Sequence, residues 1–552
     1  MPDEFKLSKD LTADLAFPEL TGVLADIVPL LDDSYFSKAR WFQHKHAAVA
    51  RKRLRDIGEI RSGENIALPA IIDIDFKGYD SKGASKDGDT ESYYMPFLLQ
   101  ARRQTGAGGF YSSQCAGALN SNPPKSEDME VLFRLNGQGG AVAFYLYDGT
   151  ASHVFLENII NMIKSSGDLQ AMRGGFCFRH TGRGLAQWDG VTAACALPGE
   201  YSNSLVMVED KAGHRAVLKI FRRLLPGISP ELEILLKLQS ETRFRAMPLV
   251  HGYMSYRDEL RREHTICLVQ EFLENAGDAW GLFRECVRRH SRIDEYVEAL
   301  ALLTADLHFA LASLRGPGFA PERLTDSDLR DIPRRIGQML DELRSALERG
   351  LARCSGDMRA MMDEVIAGGR EIKTSIEGLI SDAARMREGT GEGGGAGAKF
   401  RIHGDLHLGQ FLWMGEGAGF AVIDFEGEPL RGIGQRRLKE SPLRDVAGIL
   451  RSFDYVAHSH LIDPSQPAGG PGLSLASAGW LKHAEELFIA SYVRRTKELG
   501  GQYLPGSKRL FTSLLTIFKL EKAIYEALYE IGNRPGWLGI PLSGIVRILR
   551  EL

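Results

Sequence analysis

Cysteine is scarce and scattered in this chain. Six residues (Cys115, Cys177, Cys195, Cys267, Cys286 and Cys354) occur in 552, with no Cys-x-x-Cys pair and no metal-ligand spacing. That usage excludes a disulfide framework and points to a reducing compartment. An excess of charge of either sign is also missing: Lys plus Arg number 68 and Asp plus Glu 72, a formal charge of −4. The one dense basic run, Ala50-Arg51-Lys52-Arg53-Leu54-Arg55, reads as a charged helix surface, so no nucleic-acid partner is expected. No uncharged apolar stretch reaches the ~18–20 residues needed to span a bilayer, so no membrane association is expected. The segment Met1–Leu15 is acidic and polar rather than leader-like, and a cytoplasmic location is the expectation. Glycine is plentiful from 388 to 397, but no Gly-Lys-Ser/Thr follows, so this stretch reads as a flexible link and not a phosphate loop.

What the chain does contain is concentrated between Lys399 and Glu428. An apolar-flanked His403-Gly404-Asp405 is followed by Gln410, and a second apolar run, Phe420-Ala421-Val422-Ile423, ends in Asp424-Phe425-Glu426. The pattern predicts two short strands that each deliver an aspartate, with a polar amide between them. Phosphoryl transfer needs such parts: a carboxylate to orient a hydroxyl, and oxygen ligands for a magnesium ion that bridges nucleotide phosphates. Taken singly, His-Gly-Asp also fits an ordinary turn, and an aspartate after an apolar run an ordinary strand end.

Upstream the pattern is hairpin-like. Leu205–Val208 leads through Asp210-Lys211-Ala212-Gly213-His214 into Ala216–Phe221, two strands joined by a turn. Lys219 interrupts the second apolar strand. An unpaired ammonium is expelled from an apolar interior, so Lys219 either reaches nucleotide phosphates and is held by a glutamate, or points to water from an edge strand. A helix follows, with Ser229 as N-cap and Pro230 at its first position. Glu231 and Glu233 are both available as partners, and helix phase alone does not choose. Before the hairpin, Ser202-Asn203-Ser204 occupies the place of a phosphate-covering loop without Gly-x-Gly-x-x-Gly. After it, Ile266–Leu273 reads as a strand leading to a hinge, where adenine would bond near Glu271.

The order of these motifs, HGDLHLGQ with IDFEGEP and SPLRDVAGILRSFDY (residues 403–410, 423–429 and 441–455), resembles the aminoglycoside-phosphotransferase-like kinases and, within them, the maltokinases. The resemblance spans about 200–545. It implies an α+β, bilobal protein-kinase-like fold with an N-terminal α+β cap region at 1–198, a nucleotide-binding lobe at 199–273 and a mostly helical lobe at 274–552. It implies ATP and Mg2+ as cofactors and phosphorylation of maltose to maltose 1-phosphate, with a functional link to trehalose synthase and α-glucan synthesis. A different sugar such as glucosamine is the alternative acceptor, and a non-catalytic regulator a third reading. Asp405 would orient the sugar hydroxyl, Gln410 and Asp424 would hold magnesium, and Lys219, fixed by Glu233, would neutralise phosphate charge. Ser202, Asn203, Ser204 and Glu271 would line the nucleotide, and Glu426, Arg444, Asp445, Tyr525 and Tyr529 the sugar.

The remaining chain is coarser to read. Ala67–Ile74 and Val131–Leu135 are β-type runs, while 78–92 and 104–128 are poor in large apolar residues and read as loops. Val154–Ile163 has helical spacing. Arg40-Trp41-Phe42 resembles the family's N-terminal motif. Residues 292–314 form a clear helical pattern, on which His308 reads as a core or surface histidine rather than a catalytic one, and helices are expected over 327–387, 475–499 and 508–531.

Overall fold

Two short helices, α1 (Phe17–Ile27) and α2 (Asp33–Lys38), lie against a six-stranded antiparallel sheet. Its strands are β1 (Val49–Ile57), β2 (Ile60–Ser62), β3 (Asn65–Tyr79), β4 (Ser85–Arg103), β5 (Val131–Asn136) and β6 (Val142–Asp148). They run in the order β1-β3-β4-β6-β5, with β2 paired to β3. In this computed structural model the described residues are 16–39, 41–42, 48–79, 85–103, 131–136, 142–182, 184–197, 203–350, 356–389, 395–458 and 471–551. They pack as two compact units, Met1–Leu232 with Leu249–Phe272, and Glu233–Pro248 with Leu273–Leu552. The boundary expected at 198/199 falls inside the first unit, and the one expected at 273/274 lies one residue from the second unit's longer segment.

Two readings of the N-terminal region change. The basic run at 50–55 is not helical; it forms most of β1. Three of its four charges are paired, Lys52 by Asp33 and the Leu31 carbonyl, Arg53 by Asp75 and Arg55 by Glu259. Residues 85–92, expected in a loop, belong to β4, and 78–79 to β3. Backbone pairing such as Gly78 with Lys86 joins these two stretches. The segment 104–128 lies outside the described residues, as do Arg40, Ser202 and residues 390–394.

The apolar run in β3 is unbroken because both faces are covered. Leu68, Ala70, Ile72 and Ile74 face α1 and α2, while Ala67 and Ile71 face a second core, following the period of two of a strand. That second core is built on α3 (His153–Lys164), capped by Ser152, and on a seven-stranded antiparallel sheet. Its strands are β7 (Asp168–Gln170), β8 (Gly175–His180), β9 (Ala193–Ala196), β10 (Ser204–Glu209), β11 (Arg215–Ile220), β12 (Val250–Arg257) and β13 (Glu263–Glu271), in the order β7-β8-β12-β13-β11-β10-β9. The predicted hairpin is β10–β11, and the strand expected over 266–273 is β13. Helix α4 (Pro230–Glu241) begins at Pro230 as expected.

The second unit is largely helical. Asp278 caps α5 (Ala279–Arg289) through the Gly281 amide, and α6 (Asp294–Ser313) follows the predicted stripe. By length and composition α6 could cross a membrane, but Leu300, Ala301, Leu307 and Leu311 are fully buried, as in a core helix. Strand β14 (Glu322–Arg323) precedes α7 (Asp326–Gly350) and α8 (Gly356–Gly389). Then come β15 (Ala398–Lys399), β16 (Phe411–Trp413), β17 (Phe420–Val422) and the short α9 (Ile433–Arg436). Helices α10 (Leu443–His458), α11 (Pro471–Glu498), α12 (Lys508–Asn533) and α13 (Gly539–Glu551) complete it. Helix α10 starts one residue after Pro442, and the Leu443 amide reaches the Ser441 hydroxyl at 3.4 Å.

Candidate active site

In the first unit, Lys219 is not on an edge. β11 lies between β10 and β13, with Lys219 opposite Leu205 on one side and Leu268 on the other. Its side chain is 7% exposed, and a lone ammonium there would be costly. The partner is Glu231, whose Oε2 accepts from Lys219 Nζ at 2.6 Å and whose Oε1 accepts from Gln270 Nε2 at 3.0 Å. The expected pairing of Lys219 with Glu233 is therefore corrected. Residues two apart on a helix face about 200° apart, and Glu233 is held instead by Arg401 at 3.1 Å and by Arg437. Gln270 was not anticipated; a polar residue near the end of a buried strand was its one signal. Glu271, next to it, accepts from the Leu249 amide at 3.2 Å through its side chain. Ser204 opens β10, half-buried, with Asn203 just before it.

In the second unit the predicted two-strand element is β16–β17, with Phe411 opposite Val422. The loop before it carries Asp405 and is held from behind. Asp445, 1% exposed on α10, accepts from the amides of His403 and Gly404, both at 2.9 Å, and contacts His308 Nε2 at 3.2 Å. His308 Nδ1 lies 2.8 Å from the Tyr492 hydroxyl, so this histidine is a satisfied core residue. Burial alone would raise the Asp445 pKa, but His308, His403 and the Gly404 amide hold it below the usual carboxylate range. With its oxygens engaged this way Asp445 shapes the loop, and it also lines the small cavity beside Asp405 on which the sugar expectation falls. Gly404 sits at φ +85°, where a side chain is disfavoured, and this lets the chain turn straight into Asp405.

Asp405 Oδ1 accepts from Lys522 Nζ at 2.8 Å, and the same ammonium reaches Glu428 Oε1 at 2.9 Å. Oδ2 of Asp405 has no hydrogen-bond partner among the described residues. Burial pushes the Asp405 pKa up, but Lys522, His407 and His403 outweigh it and bring it down to about 2. Around this pair lies a small polar cavity lined by Asp405, Glu428, Arg444, Glu521 and Lys522. Glu521 is shared by Arg335, Arg431 and Arg444, and Arg444 also holds Glu440 at 2.9 Å. On sequence Lys522 is one polar residue of the helix expected over 508–531; that its face meets the loop depends on packing.

Asp424, two residues beyond β17, has φ +67°, a left-handed geometry that aspartate tolerates better than most residues. Gln410 Nε2 donates to Asp424 Oδ2 at 3.1 Å, which leaves the amide oxygen for another use. Glu426 lies beside Arg436, 3.8 Å away. The carboxylates of Asp424 and Glu426 lie within 4.8 Å of one another, with the Gln410 amide at Asp424; oxygen donors of this hard kind suit magnesium and are few enough for it to keep several waters. Tyr525 is buried, its hydroxyl accepting from the Leu430 amide at 3.3 Å and its ring 4.7 Å from Lys522 Nζ. Tyr529, one turn on, is half-buried, with the Arg534 guanidinium 5.7 Å from its ring.

Residues 193–427 match the model of the phosphotransferase enzyme family, APH. Over 385 residues the chain is 25% identical to a glucosamine kinase of Mycolicibacterium smegmatis (strain ATCC 700084 / mc(2)155), covering 68% of this chain and 84% of that protein. Over 368 residues it is 23% identical to a glucosamine kinase of Streptacidiphilus jiangxiensis, covering 65% and 74%. Among solved structures, a glucosamine kinase in complex with glucosamine, ADP and inorganic phosphate aligns with a TM-score of 0.55 at 19% identity, covering 95% of this chain and 98% of that one. The chain therefore has the aminoglycoside-phosphotransferase-like kinase fold.

Proposed function

We propose that this protein transfers the γ-phosphoryl group of ATP to a hydroxyl of an amino sugar of the glucosamine class. The observation that carries the transfer is the Asp405 carboxylate: one oxygen tied to Lys522 at 2.8 Å, the other available to a hydroxyl. The acceptor class rests on the glucosamine kinases of similar sequence, which support it better than maltose, the acceptor implied by the wording of the motifs. The link to trehalose synthase belongs to the maltose reading.

In the proposed step the acceptor oxygen attacks the γ-phosphorus and its proton passes to Asp405 Oδ2. The bond from phosphorus to the β,γ-bridging oxygen breaks, and ADP leaves with that electron pair. A carboxylate with a pKa near 2 is a weak base, so Asp405 orients the hydroxyl first and accepts its proton late. That suits a loose transition state in which little proton transfer is needed early. Lys219, set by Glu231, would neutralise phosphate charge, and Asp424, Glu426 and Gln410 would hold magnesium. The ion, when bound, supplies charge neutralisation on the transferring phosphates.

The test is ATP consumption by the full chain with magnesium and, in turn, glucosamine, maltose, glucose and an aminoglycoside, followed by location of the product phosphate. Preferred turnover of glucosamine supports the reading, and preferred turnover of maltose restores the alternative. No consumption with any acceptor removes the sugar-kinase assignment. Asp405→Asn should lower turnover on the active sugar by roughly 10²–10⁴-fold while leaving the melting transition in place.

A further inference from the structure

A cleft of about 350 Å³ in the first unit is lined by none of the residues given a catalytic or nucleotide role above. That volume is within the range of small-molecule sites, roughly 300–1,000 Å³. Three pieces of chain line it: Arg55 of β1 with residues 90–92 of β4, Arg262 and His264 around the start of β13, and residues 223–226. The last belong to the connection that leaves β11 after Ile220 and enters α4 at Pro230.

Three guanidinium groups line the cleft, against one carboxylate, Glu91. Each is paired: Arg55 Nη2 with Glu259 at 3.0 Å, Arg223 with Glu91, and Arg262 Nε with Asp258 Oδ2 at 2.7 Å. Neighbouring acids thus cancel their charge, and the cleft does not gather anions from a distance. It recognises them at contact instead. A guanidinium carries five N–H donors, and one carboxylate engages only one or two of them. Arg262 has the rest to offer: half its side chain is exposed, and neither Nη nitrogen has a hydrogen-bond partner among the described residues. A planar fork with free N–H groups matches carboxylate or phosphate oxygens. Leu225 and Pro226 supply apolar surface for the body that carries them.

The connection is pinned on both sides of the cleft. On the β4 side the Tyr94 amide donates to the Arg222 carbonyl at 2.6 Å and the Leu224 amide to the Ser92 carbonyl at 2.8 Å. On the β13 side the Gly227 amide donates to the Glu263 carbonyl and the Ser229 amide to Thr265 Oγ1, both at 2.8 Å. His264 Nδ1 lies 3.1 Å from the Leu225 carbonyl oxygen. Lys219 stands just before this connection and Glu231 just after it, and the two meet at 2.6 Å. A ligand that holds residues 223–226 therefore holds the segment on which that pair depends.

We infer that this cleft is a binding site for a small organic oxyanion, anchored by Arg262, and that filling it favours ATP binding. The cleft is formed in the same arrangement that sets Lys219 against Glu231, so a ligand that prefers this arrangement shifts the population toward the paired form. The site itself stands apart from the kinase reading; its effect on ATP rests on that reading.

The experiment is calorimetry on the full chain with glycerol 3-phosphate, citrate and inorganic phosphate, and with glycerol as the uncharged control. At least one anion should bind and glycerol should not; which anion binds separates phosphate from carboxylate chemistry. Arg262→Gln keeps the backbone amide that donates to Asp258 at 2.8 Å and should weaken anion binding by about tenfold or more, while its ATP affinity without anion stays within about twofold. Arg262→Lys, which keeps the charge without the fork, takes its place if the glutamine variant does not fold. In the parent, saturating anion should tighten ATP binding by about fivefold or more, and ATP should tighten anion binding by the same factor. Absence of anion binding overturns the inference, as does binding that the Arg262 variants leave unchanged. So does an anion that leaves ATP affinity unaltered or competes with ATP. A parent chain that binds no ATP overturns the kinase reading instead, and the anion titrations without nucleotide still decide the cleft.

Discussion

Lys522 on α12 donates to Asp405 Oδ1 at 2.8 Å although 117 residues of chain separate them. One ammonium thereby serves two carboxylates, since Glu428 takes a second contact at 2.9 Å. Glu428 is buried and Asp405 half-buried, and burial alone would favour their protonated forms. The shared cation reverses that preference and keeps Asp405 ionised at every pH where a cell operates.

Replacing Lys522 by methionine should therefore move the acid limb of the kcat/KM profile. In the parent protein the Asp405 pKa of about 2 places that limb below the usual working range. Without the ammonium, burial and the neighbouring Glu428 both raise it, by an expected 1–3 units, roughly the size of shift a close opposite charge causes. The sign for stability follows. A carboxylate whose folded pKa is depressed stabilises the fold above its ordinary value, ~3.9, and that contribution is lost as pH falls through about 2. In Lys522→Met the loss should come at a higher pH. Acid titrations of activity and of melting temperature that superimpose on the parent's would refute the assignment.

The two glutamates of α4 should separate cleanly. Glu231→Gln strips the carboxylate from a lysine that is 7% exposed, and breaking a buried pair costs about 3–5 kcal/mol. The KM for ATP should also rise, on the order of tenfold or more, because Lys219 loses the group that aims it. Glu233→Gln touches Arg401 and Arg437 instead, so the ATP KM should stay within about twofold. Nucleotide kinetics on both variants decide the matter; an effect confined to Glu233→Gln would reverse the roles.

The contrast between these residues explains what could be read from the sequence. Asp405, Gln410 and Asp424 lie within one short stretch, where strand periodicity already brings them near one another. Leu300, Leu307 and Leu311 mark the α6 stripe by spacing alone. The choice between Glu231 and Glu233 needed knowledge of which helix face meets β11. Lys522 and Asp445 needed tertiary packing, since one arrives from a distant helix and the other acts by accepting backbone amides, a use no residue pattern announces. Residues 85–92 misled for the opposite reason: their strand is held by backbone pairing, with polar side chains that look like a loop.

Asp445 makes the next prediction. Asp445→Ala would leave the amides of His403 and Gly404 buried without acceptors, at roughly 1–3 kcal/mol each. A loss of several kcal/mol in chemical unfolding is expected, with turnover falling before the global transition because the Asp405 loop loosens first. Tyr492→Phe, which removes the more remote hydroxyl contact to His308 at 2.8 Å, should cost far less. Equal losses in the two variants would mean that Asp445 contributes packing and not loop geometry.

Gly448 offers a steric test of the same loop. It lies on α10, and a Cβ added there would come within 2.5 Å of the Leu406 carbonyl oxygen, a backbone atom that cannot rotate away. Alanine favours helix over glycine by about 1 kcal/mol, so on propensity alone Gly448→Ala would stabilise. The contact dictates the opposite: Leu406 must move, and Asp405 is its neighbour. Displacing a reacting group by about 1 Å can cost on the order of 10²-fold in rate, so kcat should fall steeply while the melting temperature drops. Gly337→Ala on α7 is the control, since its new methyl would meet only Lys373 Cε at 3.6 Å. It should keep full activity and melt at the parent temperature or slightly above. If Gly448→Ala behaves like that control, the loop is not wedged against α10, and the rigid placement of Asp405 must come from Asp445 and Lys522 alone.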